Sequence, residues 1–236
     1  MTRADAIECY QKALRMGQRD YREKMIAGQS PFLPVLDDIL QNAPVENQLP
    51  LGQVDIPLNL MVGTKTAGRT AAFASNFMPL LEQGTEFAAK WISLCISHVD
   101  EGIRDPVRCY EYMGRFYVQE GNKRVSVLKY FDATSILGNV IRIVPQYSED
   151  PAVQMYYEFM HYYPITQTYL LTFTKPGSYA RLQKILGKGP DEKWSDEDRA
   201  EIMSLYNWVE KAFLAHRGDR LSVTAGDVLL LLLRVY

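Results

Sequence analysis

Residues 115–131 read Arg-Phe-Tyr-Val-Gln-Glu-Gly-Asn-Lys-Arg-Val-Ser-Val-Leu-Lys-Tyr-Phe, and the hydrophobic period changes once within them. Arg115 to Gln119 carry aromatic and β-branched residues, as a strand does. Glu120 and Gly121 interrupt that pattern. From Asn122 onward Val127, Leu128 and Phe131 fall on one helical face, with Lys123, Ser126 and Lys129 on the other. A strand therefore runs through a glycine turn straight into a helix. The first N–H groups of such a helix have no partner and sit at its positive end, where an anion is the natural guest. Lys123 and Arg124 add two cations to that first turn. Each costs about 0.3–1 kcal/mol there unless a negative group sits nearby. The stretch predicts a phosphate site in which Gly121 makes the turn, the amides of Asn122, Lys123 and Arg124 hold the phosphate, and Arg124 pairs with it bidentately.

The neighbouring residues extend this unit. Asp105-Pro106 opens a strand that runs to Tyr112, and Met113-Gly114 reads as a hairpin turn. Asn139 to Val144 is a further strand, closed by Pro145. Upstream, Val54 to Val62 alternates weakly, contains Pro57 and reads as a short edge strand or extended segment. It leads into Gly63-Thr64-Lys65-Thr66-Ala67-Gly68-Arg69-Thr70, a second candidate anion cradle. The Gly-Lys-Ser/Thr order of a Walker loop is missing. Thr64, Lys65, Thr66 and Arg69 are the candidates to close the far side of the phosphate site.

Helices flank the sheet on both sides. Residues 3–27 carry a stripe of Ile7, Tyr10 and Leu14, continued after Gly17 by Tyr21 and Met25. Pro34 opens a short helix to Leu40, and Asn42 to Pro50 reads as a polar connection. Helix is expected over Ala71–Leu81 and over Thr85–Val99, where Phe87, Trp91, Leu94, Cys95 and His98 make one stripe. Cys95 and His98 read as a packed core pair. Tyr156, Phe159 and Tyr163 stripe a helix over Ala152–Tyr163 and suit a core or a dimer face. Tyr169 to Phe173 reads as a short strand or extended piece and Ser178 to Leu186 as helix, with a linker from Gly187 to Lys193. Ser195 with Asp198 forms a capping box ahead of an amphipathic helix. Thr224 to Tyr236 is an apolar helix without a polar tail, which implies a fragment or docking to another subunit or domain. The expected layout is an N-terminal helical extension over 1–50, a sheet core over 51–148 and a C-terminal helical region over 149–236.

Bulk properties narrow the function classes. The 236 residues carry a formal net charge of −2, so no global field favours DNA or an acidic membrane and a phosphate site must be local. Three well-separated cysteines, Cys9, Cys95 and Cys109, match neither a metal spacing nor a disulfide framework and point to a reducing compartment. No leader-like apolar region follows the start, and Val228 to Leu233 is too short to span a bilayer, so the expectation is a cytoplasmic protein with no membrane partner.

The region 54–145 resembles the ParB/sulfiredoxin superfamily. The resemblance rests on residues 117–129, where Gly121 and Arg124 match a Gly-x-x-Arg box at a strand-to-helix junction, and on Asp105-Pro106-Val107, similar to a Gln-Pro-Ile/Val element opening the preceding strand. It implies an α+β fold with a small mixed β-sheet and a box that binds nucleotide phosphates, with CTP or ATP and Mg²⁺ as the expected cofactors. Asn122 stands where sulfiredoxins carry a cysteine, so thiolate chemistry is not implied. Glu120 stands where a free-serine kinase of the same fold has an aspartate. The flanking helices resemble a module found ahead of ligand-binding domains of the basic-membrane-protein type. The expected function is a nucleotide- or phosphate-binding regulatory domain of a transcription or partition regulator. A DNA-binding protein of the ParB type, a phosphotransfer enzyme or nucleotidase, and a purely structural interaction module are the alternatives. The enzyme reading makes Glu120 the base and Asp105 or Asp132 the Mg²⁺ ligand. The expected partners are a phosphorylated small molecule, DNA at the level of a complex, and a second copy or domain docked through the C-terminal helix.

Overall fold

The computed structural model of the chain describes residues 1–235. Tyr236, where the last helix was expected to end, and the side chain of Arg69 lie outside the described residues. The chain divides into two units between Gln146 and Tyr147. The first holds α1 (Arg3–Ile26), α2 (Leu36–Leu40), β1 (Val45–Pro57), β2 (Met61–Thr64), α3 (Glu86–Asp100), β3 (Val107–Tyr112), β4 (Arg115–Glu120), α4 (Asn122–Tyr130) and β5 (Ser135–Pro145). The second holds α5 (Pro151–Thr166), α6 (Ser178–Ile185), α7 (Asp196–Ala215) and α8 (Ala225–Val235). The fold is thus α+β with a mixed sheet, as the alternation of periods predicts.

The five strands lie in the order β1-β5-β3-β4-β2. β1 runs antiparallel to β5, β5 parallel to β3, β3 antiparallel to β4, and β4 parallel to β2. The β3–β4 hairpin turns at Met113 and Gly114, both left-handed with φ of 51° and 75°, as a two-residue hairpin requires. Glu111 is fully buried beneath it. Its carboxylate accepts from the Gly114 amide at 2.7 Å and pairs with Arg142, its register neighbour on β5. The sheet face carrying Tyr110, Tyr117 and Ile143 is packed by α2 through Leu36. α1, α3 and α4 form a second cluster around Tyr10, Trp91, Cys95 and Val127, tied by a 2.9 Å hydrogen bond from the Trp91 indole to Ser126.

Several expectations change. The polar stretch expected as a connection over 42–50 is mostly strand: β1 starts at Val45 and pairs with β5 along its whole length. Its first residues are exposed, so no alternation marks them. The first fifty residues do not stand apart, because α1 packs on α3 and β1 belongs to the sheet. The buried stripe of α1 is Ala6, Tyr10, Ala13 and Gly17, one residue away from the expected Ile7 and Leu14. Small residues win because the chain approaches closely: a Cβ at Gly17 would lie 2.4 Å from the Pro79 carbonyl. No helix forms over 71–81. A 3₁₀ turn at Ala67–Ala72 leads into an irregular buried segment in which Phe77 has φ of 67°.

In the second unit the Tyr156 and Phe159 side chains are core, joined by Tyr162, Tyr169 and Tyr179. Residues 169–173 form no strand, although Leu171 is fully buried. The capping box at Ser195 and Asp198 is present on α7. α8 buries Leu229 and Leu230 and leaves Leu231 exposed. None of the described helices is long and apolar enough to cross a membrane.

Candidate functional site

Gly121 joins β4 to α4 with φ of 110°, and a Cβ there would lie 2.6 Å from the Val107 side chain. Both conditions require glycine. Because Gly121 occupies the capping position, no side chain caps the first turn of α4. The amides of that turn face a cleft of about 550 Å³. One wall is Gln119 to Arg124. The other is the α3 face of Phe87, Lys90, Ser93 and Leu94, with Phe73 beside it. A second hollow of about 440 Å³ adjoins, sharing Phe87, Lys90 and Lys123 and lined beyond them by Ala67, Gly68 and Thr70.

The charged groups are arranged around this cleft. The Lys123 ammonium lies 4.9 Å above the Phe87 ring, a cation–π contact that places it at the junction of the two hollows. Lys90 pairs with Glu86 at 2.5 Å, both side chains being well exposed. Arg124 is mostly buried. Its Nη1 donates to the carbonyls of Asp105 and Pro106 at 2.8 and 3.0 Å, and its Nη2 lies 3.9 Å from Glu120. Arg124 therefore staples the entry to β3 as well as facing the box. Glu120 also lies 3.7 Å from Arg108, so this carboxylate sits at the rim between two guanidinium groups.

Asn122 reaches Thr64 through its Nδ2 at 3.5 Å, and its Oδ1 is buried with no hydrogen-bond partner among the described residues. Thr64 is itself spent on structure. Its hydroxyl donates to the Val118 carbonyl and its amide to the Pro34 carbonyl.

The second expected cradle contributes only in part. Lys65 lines neither hollow; its ammonium pairs with Asp37 of α2 at 2.7 Å and lies over the Tyr110 ring on the α2 side of the sheet. The pattern of cations and hydroxyls did not reveal that the strand turns Lys65 to that side. Thr66 is exposed and also lines neither hollow. Arg69 lies in the 3₁₀ turn whose neighbours Gly68 and Thr70 line the second hollow, its side chain being outside the described residues. Asp132 follows the far end of α4, at the opposite pole from the box. Among the described residues no group of three or more His, Cys, Asp or Glu is placed to hold a metal ion.

Comparison with protein-family models, with curated proteins and with solved structures finds no match.

The argument for this site is therefore local. Phe87, Lys90, Ser93 and Leu94 were not expected as lining residues; Phe87 and Leu94 read as core. The available signal was Lys90 between two apolar residues three and four positions away, which marks the border of an amphipathic stripe. The arrangement supplies free-ended helix amides, two side-chain ammonium groups and an aromatic floor, a donor set suited to an oxyanion attached to an organic group.

Proposed function

We propose that the chain is a nucleotide- or phosphate-binding regulatory module of the ParB/sulfiredoxin kind. The reading rests on one observation: the Gly121 bend opens an uncapped helix start into a cleft whose walls carry Lys123 and Lys90. Phosphate oxygens belong at the α4 amides, with Lys123 and Lys90 as counter-charges and the Phe87 ring available to the organic part of the ligand. The volume suits a nucleotide, since small-molecule sites run to roughly 300–1,000 Å³. CTP and ATP, each with and without Mg²⁺, are the first ligands to try. Association with DNA belongs to a larger assembly. α8 carries Arg234 as its basic residue and buries Leu229 and Leu230, a poor surface for a DNA groove.

The test is a thermal-shift series with CTP, ATP, GTP and inorganic phosphate, each with and without Mg²⁺. A ligand at about 100 times its dissociation constant adds roughly 2.7 kcal/mol to stability. Lys90→Ala and Lys123→Ala should each weaken binding about tenfold, or about 1.4 kcal/mol, with the fold intact. Gly121→Ala should abolish the response and destabilise the protein by about 1–3 kcal/mol. A folded wild-type protein that responds to none of these ligands rules the proposal out.

A further inference from the structure

Two thiols meet inside the helical cluster of the first unit, away from the cleft. Cys9 lies on α1 and is half-buried; Cys95 lies on α3 and is fully buried. Cys9 from α1 and Tyr130 from α4 pack against the buried cluster that contains Cys95, with Cys9 close enough to act on both the Cys95 thiol and the Tyr130 hydroxyl. The Cys95 sulfur further lies 3.6 Å from the Met1 thioether. Tyr10 and Tyr130 stack edge-on against Trp91 and hold the three helices around this sulfur-rich spot. Cys109 stands apart on β3, in the sheet.

We propose that Cys9 and Cys95 are a reversible oxidation site, forming an intramolecular disulfide that fastens α1 to α3. The half-buried Cys9 meets the oxidant, taken here as hydrogen peroxide. Its thiolate attacks one peroxide oxygen, the O–O bond breaks, and Cys9 becomes a sulfenic acid as hydroxide leaves. The Cys95 sulfur then attacks the Cys9 sulfur. The S–O bond breaks and the oxygen departs as water with the Cys95 proton. Two thiols and one peroxide give one disulfide and two waters. Burial pushes the Cys95 thiol up to about 12, so it is not the thiol that meets peroxide first. The cross-link lies one residue from Leu94, so it restrains the helix that forms one wall of the cleft.

The experiment uses the whole wild-type chain, so it does not depend on whether a variant folds. The reduced protein is exposed to hydrogen peroxide, its remaining thiols are alkylated, and it is mapped by mass spectrometry without reduction. The expected product is a peptide pair joined through Cys9 and Cys95, reversed by dithiothreitol, with Cys109 alkylated. The oxidised protein should melt several degrees above the reduced one, because the bond closes a long loop. Three results overturn the proposal: Cys9 converted to sulfinic acid while Cys95 remains alkylatable, a linkage through Cys109, or a Cys9–Cys95 bond that appears only after unfolding in guanidinium.

Discussion

Lys129 lies on α4 beyond the Gly121 turn, with its ammonium 5.2 Å over the Phe77 ring and no carboxylate partner among the described residues. Burial pushes it down to about 8. Between that value and the ordinary lysine range near 10.4, the unfolded chain binds more protons than the folded one, so this residue makes stability rise with pH. Lys129→Met should therefore stabilise the protein near neutral pH by up to about 3 kcal/mol, and the gain should shrink as the pH approaches about 10. Urea unfolding of both proteins at about pH 7 and about pH 9.5 measures this; a gain independent of pH contradicts it. At this scale the site was legible where backbone geometry is written into residue type. Gly121 between a β-rich run and a helical one has few other readings. Lys65 was not legible, because its role depends on which side of an edge strand faces Asp37, and a cluster of small polar residues carries no period to show it.

The β3–β4 hairpin depends on a charge pair that is almost wholly removed from water. Glu111 and Arg142 are neighbours in register, and Glu111 also closes the turn through the Gly114 amide. Removing one partner strands the other charge in the core. Arg142→Met should cost about 3–5 kcal/mol, whereas replacing both members by apolar residues of similar volume should cost much less. Denaturant unfolding of the single and double variants decides this, and an additive double variant speaks against coupling. β3, β4, α4 and β5 were readable because alternation and then helical period run through their sequences. β1 was not, since most of it is exposed on both faces and only its pairing with β5 makes it a strand. The segment 73–80 offered apolar residues at helical spacing, yet Phe77 takes a left-handed backbone conformation and the segment is buried without regular structure.

On the scale of the whole chain, each unit has its own core. The first closes around the sheet and α1, with β1 and β5 pairing its early and late residues. The second is organised by Tyr179, Leu182, Trp194 and Tyr206, and by the Glu158 carboxylate accepting from the Gly177 and Tyr179 amides. The fragment 1–146 should therefore fold alone and carry the thermal response to nucleotide proposed for the whole chain; circular dichroism with the same ligand series checks both. A fragment that stays unfolded shows that the first unit is not autonomous. The sheet ends in two very different outer strands. β2 is short, and its Thr64 amide is already taken by the Pro34 carbonyl. β1 is long, but Pro50 supplies no N–H and the register shifts between Pro50 and Gly52. A foreign chain seeking to extend the sheet meets a covered rim on one side and an interrupted ladder on the other, so self-templated fibre growth has no continuous edge to copy.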